Sequence, residues 1–422
     1  MEGAVFRIFV LLKVQFFVFL YFIKIDLESL FEKYYRKLDQ VSLTFRRSLS
    51  TQVDWNNRII GIKGARGAGK TTLLLQHARQ SLPGGDKTLY ASLDDLYFTE
   101  NRLYDLADRF LKQGGRYLLL DEVHRYPEWS REIKNIYDDF GELTVIFTGS
   151  SIIHLDQAKG DLSRRAVMYE LMGLSFREFI EVATGHKFEP IGMEDLLEHH
   201  VEYARSVVGK IHPIEHFKKY LQYGYYPYFL ENEKSYLQKL AETISLALVS
   251  DLPVVHPISY GSIEKIRLLL HIISESVPFK PNVSKLSEHI DVTRQSLMNF
   301  FRYLEDLRII HGLYSSGKGA TLMQKPEKVF LHHPNLFFAL SSGRADTGSI
   351  RESFFVNQVS SVKPVSYAED GDFKVDKYTF EVGGRGKKKR QIEEVQDAYI
   401  VADDIEIGYG NKVPLWMFGF FY

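Results

Sequence analysis

The stretch from Gly64 to Thr71 constrains this chain most, because its sequence, GARGAGKT, fits the phosphate-binding pattern G-x-x-x-x-G-K-[ST]. It lies between the apolar run 59–62 and a helical pattern that begins at Thr72, as a strand–loop–helix unit requires. Its glycines allow a tight turn whose N–H groups point inward and, with the helix N-terminus, form a cradle for an anion. The pattern predicts a nucleoside triphosphate site in an α/β fold.

Two residues of this loop have further roles in the prediction. Lys70 would reach the β- and γ-phosphates, and Thr71 would offer its hydroxyl to Mg²⁺. The predicted nucleotide-binding residues are Gly64, Ala65, Arg66, Gly67, Ala68, Gly69, Lys70, Thr71 and Thr72.

A second apolar run, residues 117–120, ends in Asp121 and Glu122. A run without polar alternation suits a central parallel strand that is buried on both faces. At the carboxyl end of such a strand, Asp121 would hold Mg²⁺ and Glu122 would polarise a water for attack on the γ-phosphate. The alternative, two acids in a solvated turn, fits the βαβ spacing from the phosphate loop less well.

Hydroxyl side chains end the next apolar run, residues 143–147. Thr148, Ser150 and Ser151 would sense the γ-phosphate or orient water, or alternatively would cap the following helix.

Arg164 and Arg165 precede the predicted strand 166–171. One of them would act as an arginine finger on the γ-phosphate of a neighbouring subunit, or the two would form a surface pair that stabilises their loop. Both interpretations stay open.

The order of these elements resembles the AAA+ ATPases, whose third element is a strand that ends in a polar sensor. More narrowly, the chain resembles a group of prokaryotic AAA-type (AAA+/STAND-like) ATP-binding proteins, in which a winged helix and a nuclease-like domain of unknown function follow the ATPase core. The motifs that carry this resemblance are Asp121–His124, Thr148–Ser151, Leu162–Arg165 and Leu174–Phe179. It implies ATP rather than GTP as the nucleotide, Mg²⁺, a homo-oligomer and a cytoplasmic location.

At 422 residues the chain is long enough for two or three domains, and its formal net charge of −1 provides no global field for nucleic acid. The absence of cysteine excludes disulfides and thiolate metal sites. The sequence divides into a hydrophobic N-terminal extension (1–25), an AAA-type ATPase core with a parallel sheet (26–185), a helical linker or lid (186–255), a winged-helix-like domain (256–340) and a small α+β restriction-nuclease-like domain (341–422).

The N-terminal extension has two interpretations. Residues 8–23 are nearly all apolar and would form a membrane anchor, although the stretch is short for a bilayer and Lys13 lies near its centre. Alternatively, the natural start lies further on and these residues are an extension, which the resemblance favours because it begins near Asp26.

Two segments of the C-terminal half invite a nucleic-acid interpretation. The aromatic stretch 220–229 would stack on bases, but core packing between lid and ATPase is favoured. Helices over 263–274, 283–290 and 293–307 predict a winged helix with its wing at 313–331. Acids beside the arginines of the third helix favour a protein-protein or lid role over DNA binding.

The last segment resembles a restriction-nuclease site with Glu352 on a helix, Asp372 and Glu381 on strands, and Gly383 where the catalytic lysine of an E-x-K motif would stand. In such a site, Asp372 and Glu381 would hold a hard metal ion. Because the lysines that follow lie in a glycine-rich turn, the sequence predicts a degenerate module and no nuclease activity.

The sequence therefore predicts an ATPase whose Mg²⁺-dependent hydrolysis drives a conformational change of the C-terminal domains. Two alternatives stay open: a nucleotide-dependent switch or scaffold with negligible turnover, and an ATP-gated DNA-binding or nuclease protein. The partner is unknown.

Overall fold

The computed structural model describes residues 27–150, 162–315, 325–341, 346–388 and 392–422. The predicted N-terminal extension and Ser151 lie outside these ranges. Within them, no helix combines the length and apolar composition that a bilayer crossing requires.

The first half is built on a parallel five-stranded sheet in the order β2–β3–β4–β1–β5. As predicted, the strand that ends in Asp121 lies beside the strand that carries Thr148. Because all five strands are parallel, their carboxyl ends meet at one edge. The strands are β1 (Ile59–Gly64), β2 (Thr88–Ser92), β3 (Tyr117–Asp121), β4 (Thr144–Ser150) and β5 (Val167–Glu170).

Helices cover both faces of this sheet, because β1 to β4 are buried on both sides and alternate little between apolar and polar residues. Two of the helices, α4 and α5, pack on one face, and α3 packs on the other. The helices of this half are α1 (27–40), α2 (Leu49–Gln52), α3 (Lys70–Ser81), α4 (Leu103–Lys112) and α5 (Trp129–Asp139).

A helical region follows the sheet. It contains α6 (Phe176–Thr184), α7 (Met193–Val208), α8 (Pro213–Tyr223), α9 (Tyr236–Leu246), a π-helical turn (Ala247–Asp251) and α10 (Leu252–Val255). The predicted aromatic stretch packs largely inside this region, since Tyr220, Tyr225, Tyr226 and Phe229 are buried. This burial agrees with the core-packing interpretation.

Three helices and a two-stranded antiparallel sheet occupy the predicted winged-helix segment. They are α11 (Tyr260–Ser274), α12 (Val283–Ile290), α13 (Arg294–Asp306), β6 (Ile310–Leu313) and β7 (Lys328–Leu331). Glu305, one of the two acids near the end of α13, accepts hydrogen bonds from the Gly312 amide (2.8 Å) and the Tyr314 hydroxyl (2.9 Å), which tie the helix to β6.

The last segment is a mixed sheet in the order β12–β11–β10–β9–β8 with helices beside it. Most of its buried apolar side chains belong to the same cluster as those of the helical region, from Leu174 to Phe421, and Ile392, Ala398, Ile400 and Ala402 form a separate small cluster. Helix α14 (Asn335–Leu340) ends the predicted winged-helix segment. The elements of the last segment are α15 (Thr347–Ser360), β8 (Ser366–Tyr367), β9 (Phe373–Val375), β10 (Tyr378–Gly383), β11 (Ala398–Ala402), β12 (Lys412–Pro414) and a 3₁₀ turn (Leu415–Phe420).

Candidate functional site

The phosphate loop joins the end of β1 to the start of α3. Gly67 and Gly69 have φ of +85° and +96°, so each occupies the left-handed region that glycine tolerates best. The Lys70 ammonium lies inside the loop and donates to the carbonyls of Gly64 (2.9 Å) and Ala65 (3.1 Å). Burial lowers the pKa of Lys70, while Glu122 and Asp121 oppose that shift. The loop therefore turns on two glycines in the left-handed region and encloses the Lys70 ammonium.

Asp121 is the polar centre of the site. Its carboxylate is 3% exposed and accepts hydrogen bonds from Thr71 Oγ1 (2.7 Å), from the Tyr90 hydroxyl (2.7 Å) and from Thr148 Oγ1. Burial and the charge of Asp121 raise the pKa of Tyr90. The Tyr90 hydroxyl therefore stays protonated and donates its hydrogen bond. Sequence reasoning missed Tyr90, because nothing distinguishes it from other aromatic strand residues until β2 pairs with β3.

The donor set of Thr71 and Asp121 suits Mg²⁺. Among the described residues, no group of three or more His, Asp or Glu side chains is arranged to hold a metal ion. A triphosphate-bound Mg²⁺ needs fewer, since it usually takes one or two protein ligands and completes its shell with phosphate oxygens and water.

Glu122 follows directly, at the carboxyl edge of the sheet, with its backbone in the left-handed region (φ +53°). Its amide lies 3.2 Å from Asp121 Oδ1 and 3.4 Å from Thr148 Oγ1. Its carboxylate is partly exposed and lies 3.4 Å from His124 Nε2. Glu122 is thus placed beside the metal-binding candidates yet open to water, as a group that activates water must be.

His124 is buried between the sheet and the helical region. Its Nδ1 accepts a hydrogen bond from the Ser150 amide (3.3 Å), so a neutral ring carries its proton on Nε2. That Nε2 faces Glu122 and, at 3.8 Å, Asp251 Oδ1. Ser150 therefore contacts His124 through its main-chain amide, and the hydroxyl role that the sequence suggested stays a prediction.

Asp251 and Arg125 were missed by sequence reasoning. Asp251 ends the π-helical turn of the helical region and accepts from Arg125 Nη2 (2.6 Å) and Arg66 Nη1 (3.3 Å). No sequence signal links Asp251 to a phosphate loop so far away along the chain.

The helical region also contacts the phosphate loop through the aromatic stretch. A Cβ atom added to Gly67 would lie 2.7 Å from Cε1 of Tyr228, and Pro227 lies beside Gly69. Tyr228 stacks on Tyr226 and Tyr236, so its ring is fixed over the loop.

The two arginines differ in their surroundings. Arg165 is partly buried and donates twice to the Asp138 carboxylate, at 2.9 and 3.2 Å, whereas Arg164 is exposed. Both precede β5, which runs parallel to β1 with Ile60 opposite Val167. They therefore lie at the amino edge of the sheet, opposite the phosphate loop of the same chain.

Glu352 lies on α15 and Glu381 on β10, as predicted, whereas Asp372 lies in the bend just before β9 and not on the strand that the sequence predicted. Burial first, and then the charge of Asp372, raises the pKa of Glu352 to about 7. Contrary to the expectation from the glycine-rich turn, Lys387 reaches the site, with Nζ 2.5 Å from Glu381 Oε1. Its methylenes fill the space where a Cβ on Gly383 would lie.

Two family models match parts of this chain, and the first spans all five strands of the parallel sheet. Residues 56–180 match the family model described as an AAA domain, and residues 214–347 match DUF8612, a domain of unknown function. The uncharacterized protein MJ1637 of Methanocaldococcus jannaschii is 26% identical over 285 residues, 64% of this chain and 60% of that protein. The chain thus spans less than two thirds of this relative.

Similar solved structures include AMPPCP-bound DnaA from Aquifex aeolicus, with 15% identity, 65% of this chain and 86% of that chain covered, and a TM-score of 0.23. PCH-2 of C. elegans has 17% identity, covers 65% and 68%, and has a TM-score of 0.24. A katanin structure has 19% identity, covers 33% and 49%, and has a TM-score of 0.23. These TM-scores and sequence identities are too low to carry an argument. The identification of residues 56–180 as an AAA domain therefore rests on the family model, the sheet order and the site geometry.

Proposed function

We propose that the AAA-type P-loop ATPase domain of this chain binds ATP with Mg²⁺, hydrolyses it, and passes the resulting conformational change to the C-terminal half. The observation that carries the proposal is the convergence of Thr71 and Thr148 on Asp121, with Glu122 beside them. Lys70 and the loop amides would bind the phosphates, and Thr71 and Asp121 would hold Mg²⁺. Glu122 would then activate the attacking water.

The test is steady-state ATP hydrolysis by protein that starts at Asp26, over a range of protein concentrations. Glu122→Gln should retain ATP binding and lose turnover, because the amide cannot accept a proton from water. Lys70→Ala should lose binding itself. Turnover per subunit that rises with concentration would support a homo-oligomer. Bound ATP with negligible turnover by the unaltered protein would favour the switch or scaffold instead.

The location and the partner belong to the same proposal. An ATPase of this kind needs cytosolic ATP, so we place it in the cytoplasm, with membrane association only through residues 1–25. Its target is a protein partner of unidentified class. DNA is less favoured because Asp306 Oδ2 lies 3.9 Å from Arg302 Nε on α13 and offsets the charge of that arginine.

One observation favours a second function, an ATP-gated nuclease, although the sequence predicts none. Lys387 supplies the ammonium that the E-x-K spacing lacks, next to the buried Glu381. Asp372 and Glu381 would hold the metal ion, and Lys387 would activate water. Plasmid cutting with Mn²⁺ should then be lost in Glu381→Ala and in Lys387→Ala. No cutting by the unaltered protein under broad metal conditions would leave the degenerate module as the conclusion.

A further inference from the structure

The carboxylate of Asp251 joins the helical region to three residues of the nucleotide site. Its side chain is 3% exposed, and Oδ1 lies 2.6 Å from Arg125 Nη2, 3.3 Å from Arg66 Nη1 and 3.8 Å from His124 Nε2. Arg66 belongs to the phosphate loop, while His124 and Arg125 belong to the turn that follows Glu122. A single carboxylate oxygen of the helical region thus faces side chains from the phosphate loop and from the turn that follows Glu122.

The charges of this cluster balance across the boundary between the two regions. Burial alone would raise the pKa of Asp251, but the nearby imidazole of His124 and the charges of Arg125 and Arg66 hold that pKa below its ordinary value. An unpaired carboxylate buried to this extent would be costly. Asp251 therefore keeps its charge because the ATPase domain supplies the cations.

Two neighbouring residues of the π-helical turn, Ser250 and Asp251, hold the turn after β3. Besides its bond to Asp251, Arg125 donates to the Ser250 hydroxyl (2.6 Å) and lies 3.3 Å from the Ser250 carbonyl. Both partners belong to the π-helical turn, an irregularity that often marks functional positions because it redirects side chains. Since Glu122 begins the same turn as Arg125, displacement of the π-helical turn would move the carboxylate of Glu122.

We infer that Asp251 is a positioning residue, which couples the helical region to Glu122 through Arg125 and His124, and to the phosphate loop through Arg66. The inference rests on the proposed ATP hydrolysis and names its regulation. A movement of the π-helical turn changes the placement of Glu122 more than it changes the phosphate cradle. Turnover should therefore respond to Asp251 more strongly than nucleotide affinity does.

Asp251→Asn tests this in the full chain, with Glu242→Gln as the matched control, since Glu242 is an exposed acid on α9 of the same region. We expect kcat to fall by a factor of about 5 to 150, with a smaller change in the dissociation constant of a fluorescent ATP analogue. The control should match the unaltered protein. An Asp251→Asn protein with unchanged kcat, or with affinity lost as much as kcat, would overturn the inference.

A double-mutant cycle separates positioning from general destabilisation. Arg125→Gln removes the shortest ion pair from the other side and leaves Asp251 with Arg66 and His124, so urea unfolding of both single variants shows whether each is folded before kcat is compared. If the two residues act as one unit, the double variant loses no more kcat than the worse single variant. Losses that multiply, or a kcat of Arg125→Gln equal to that of the unaltered protein, would contradict the coupling. Absence of ATPase activity in the unaltered protein would instead refute the proposed function, and the inference with it.

Discussion

Gly67 is the residue of the phosphate loop against which Tyr228 of the helical region packs, so neither side leaves room for a side chain there. Its φ of +85° disfavours a side chain, and a Cβ would lie 2.7 Å from the Tyr228 ring. Gly67→Ala should therefore lower the free energy of unfolding by about 1–2 kcal/mol from the backbone alone, plus the cost of the clash. Urea unfolding and ATP titration would measure both effects.

The clash component can be separated with a second substitution. In a Tyr228→Ala background, Gly67→Ala should lose only the backbone component. Gly84→Ala is the matched control, because Gly84 has a negative φ and no neighbour within 4 Å of an added Cβ. Equal losses in both backgrounds would show that Tyr228 does not restrict the loop.

His77 should make the stability of the AAA domain depend on pH. It lies on α3, its ring stacks on Trp55 at 3.6 Å, and burial first, then Arg46, lowers its pKa to about 4. The unfolded chain takes up a proton near pH 6.5 and the folded chain only near pH 4, so stability is lost as the pH falls through this window. The loss at pH 5 is at most about 2 kcal/mol.

Urea unfolding at pH 7 and pH 5 would check this sign. The loss between the two pH values should be smaller for His77→Gln than for the unaltered protein, because glutamine does not titrate. His186→Gln is the control, since His186 is exposed. If His77→Gln loses as much stability as the unaltered protein, His77 is not the responsible group.

At the scale of elements, a buried ion pair joins the linker between α1 and α2 to helix α6. Arg47 donates to Glu178 Oε2 (3.1 Å) and to the carbonyls of Ala68 (2.7 Å) and Gly173 (2.7 Å). Glu178 also closes the capping box of α6 with Ser175. Although burial would raise the pKa of Glu178, the charge and hydrogen bonds of Arg47, the Ser48 amide and the charge of Arg177 together outweigh burial and hold that pKa low.

Arg47→Met should destabilise the protein by about 3–5 kcal/mol, because it leaves the Glu178 carboxylate buried without its partner. Adding Glu178→Gln to this variant should recover part of the loss, which urea unfolding would measure. Lys112→Met breaks an exposed ion pair with Asp108 and should change stability little. A similarly small effect of Arg47→Met would mean that the linker is held by its apolar contacts.

What the sequence could predict follows from the range of each interaction. The phosphate loop, Asp121, Glu122 and Thr148 were predictable because short motifs and strand polarity determine them. Tyr90, Asp251 and Lys387 were not, since each reaches its partner through tertiary packing. Lys387 shows this most clearly. Its side chain packs over Gly383 and places an ammonium beside Glu381, whereas the E-x-K spacing puts the lysine at position 383 itself.

At the scale of the whole molecule, the polarity of the sheet decides where Arg164 and Arg165 can act. They precede β5 at the amino edge, whereas Lys70 and Glu122 lie at the carboxyl edge, so neither arginine reaches the γ-phosphate of its own chain. A catalytic role requires a neighbouring subunit. Arg164 suits that role better, because it is exposed while Arg165 is bound to Asp138.

Arg164→Ala should therefore lower ATP turnover by a factor of about 10³ to 10⁵ and leave ATP affinity intact, as loss of an arginine finger does. Arg165→Ala should retain most of the turnover, because its guanidinium serves Asp138 within the same chain. Mixing Arg164→Ala with Glu122→Gln subunits sharpens the test. In mixed oligomers, Arg164 of a Glu122→Gln subunit can meet the intact Glu122 of an Arg164→Ala subunit. Such oligomers should therefore regain activity that neither variant has alone. No recovery, or ATP affinity lost with Arg164, would place the arginine in the fold rather than in a shared site.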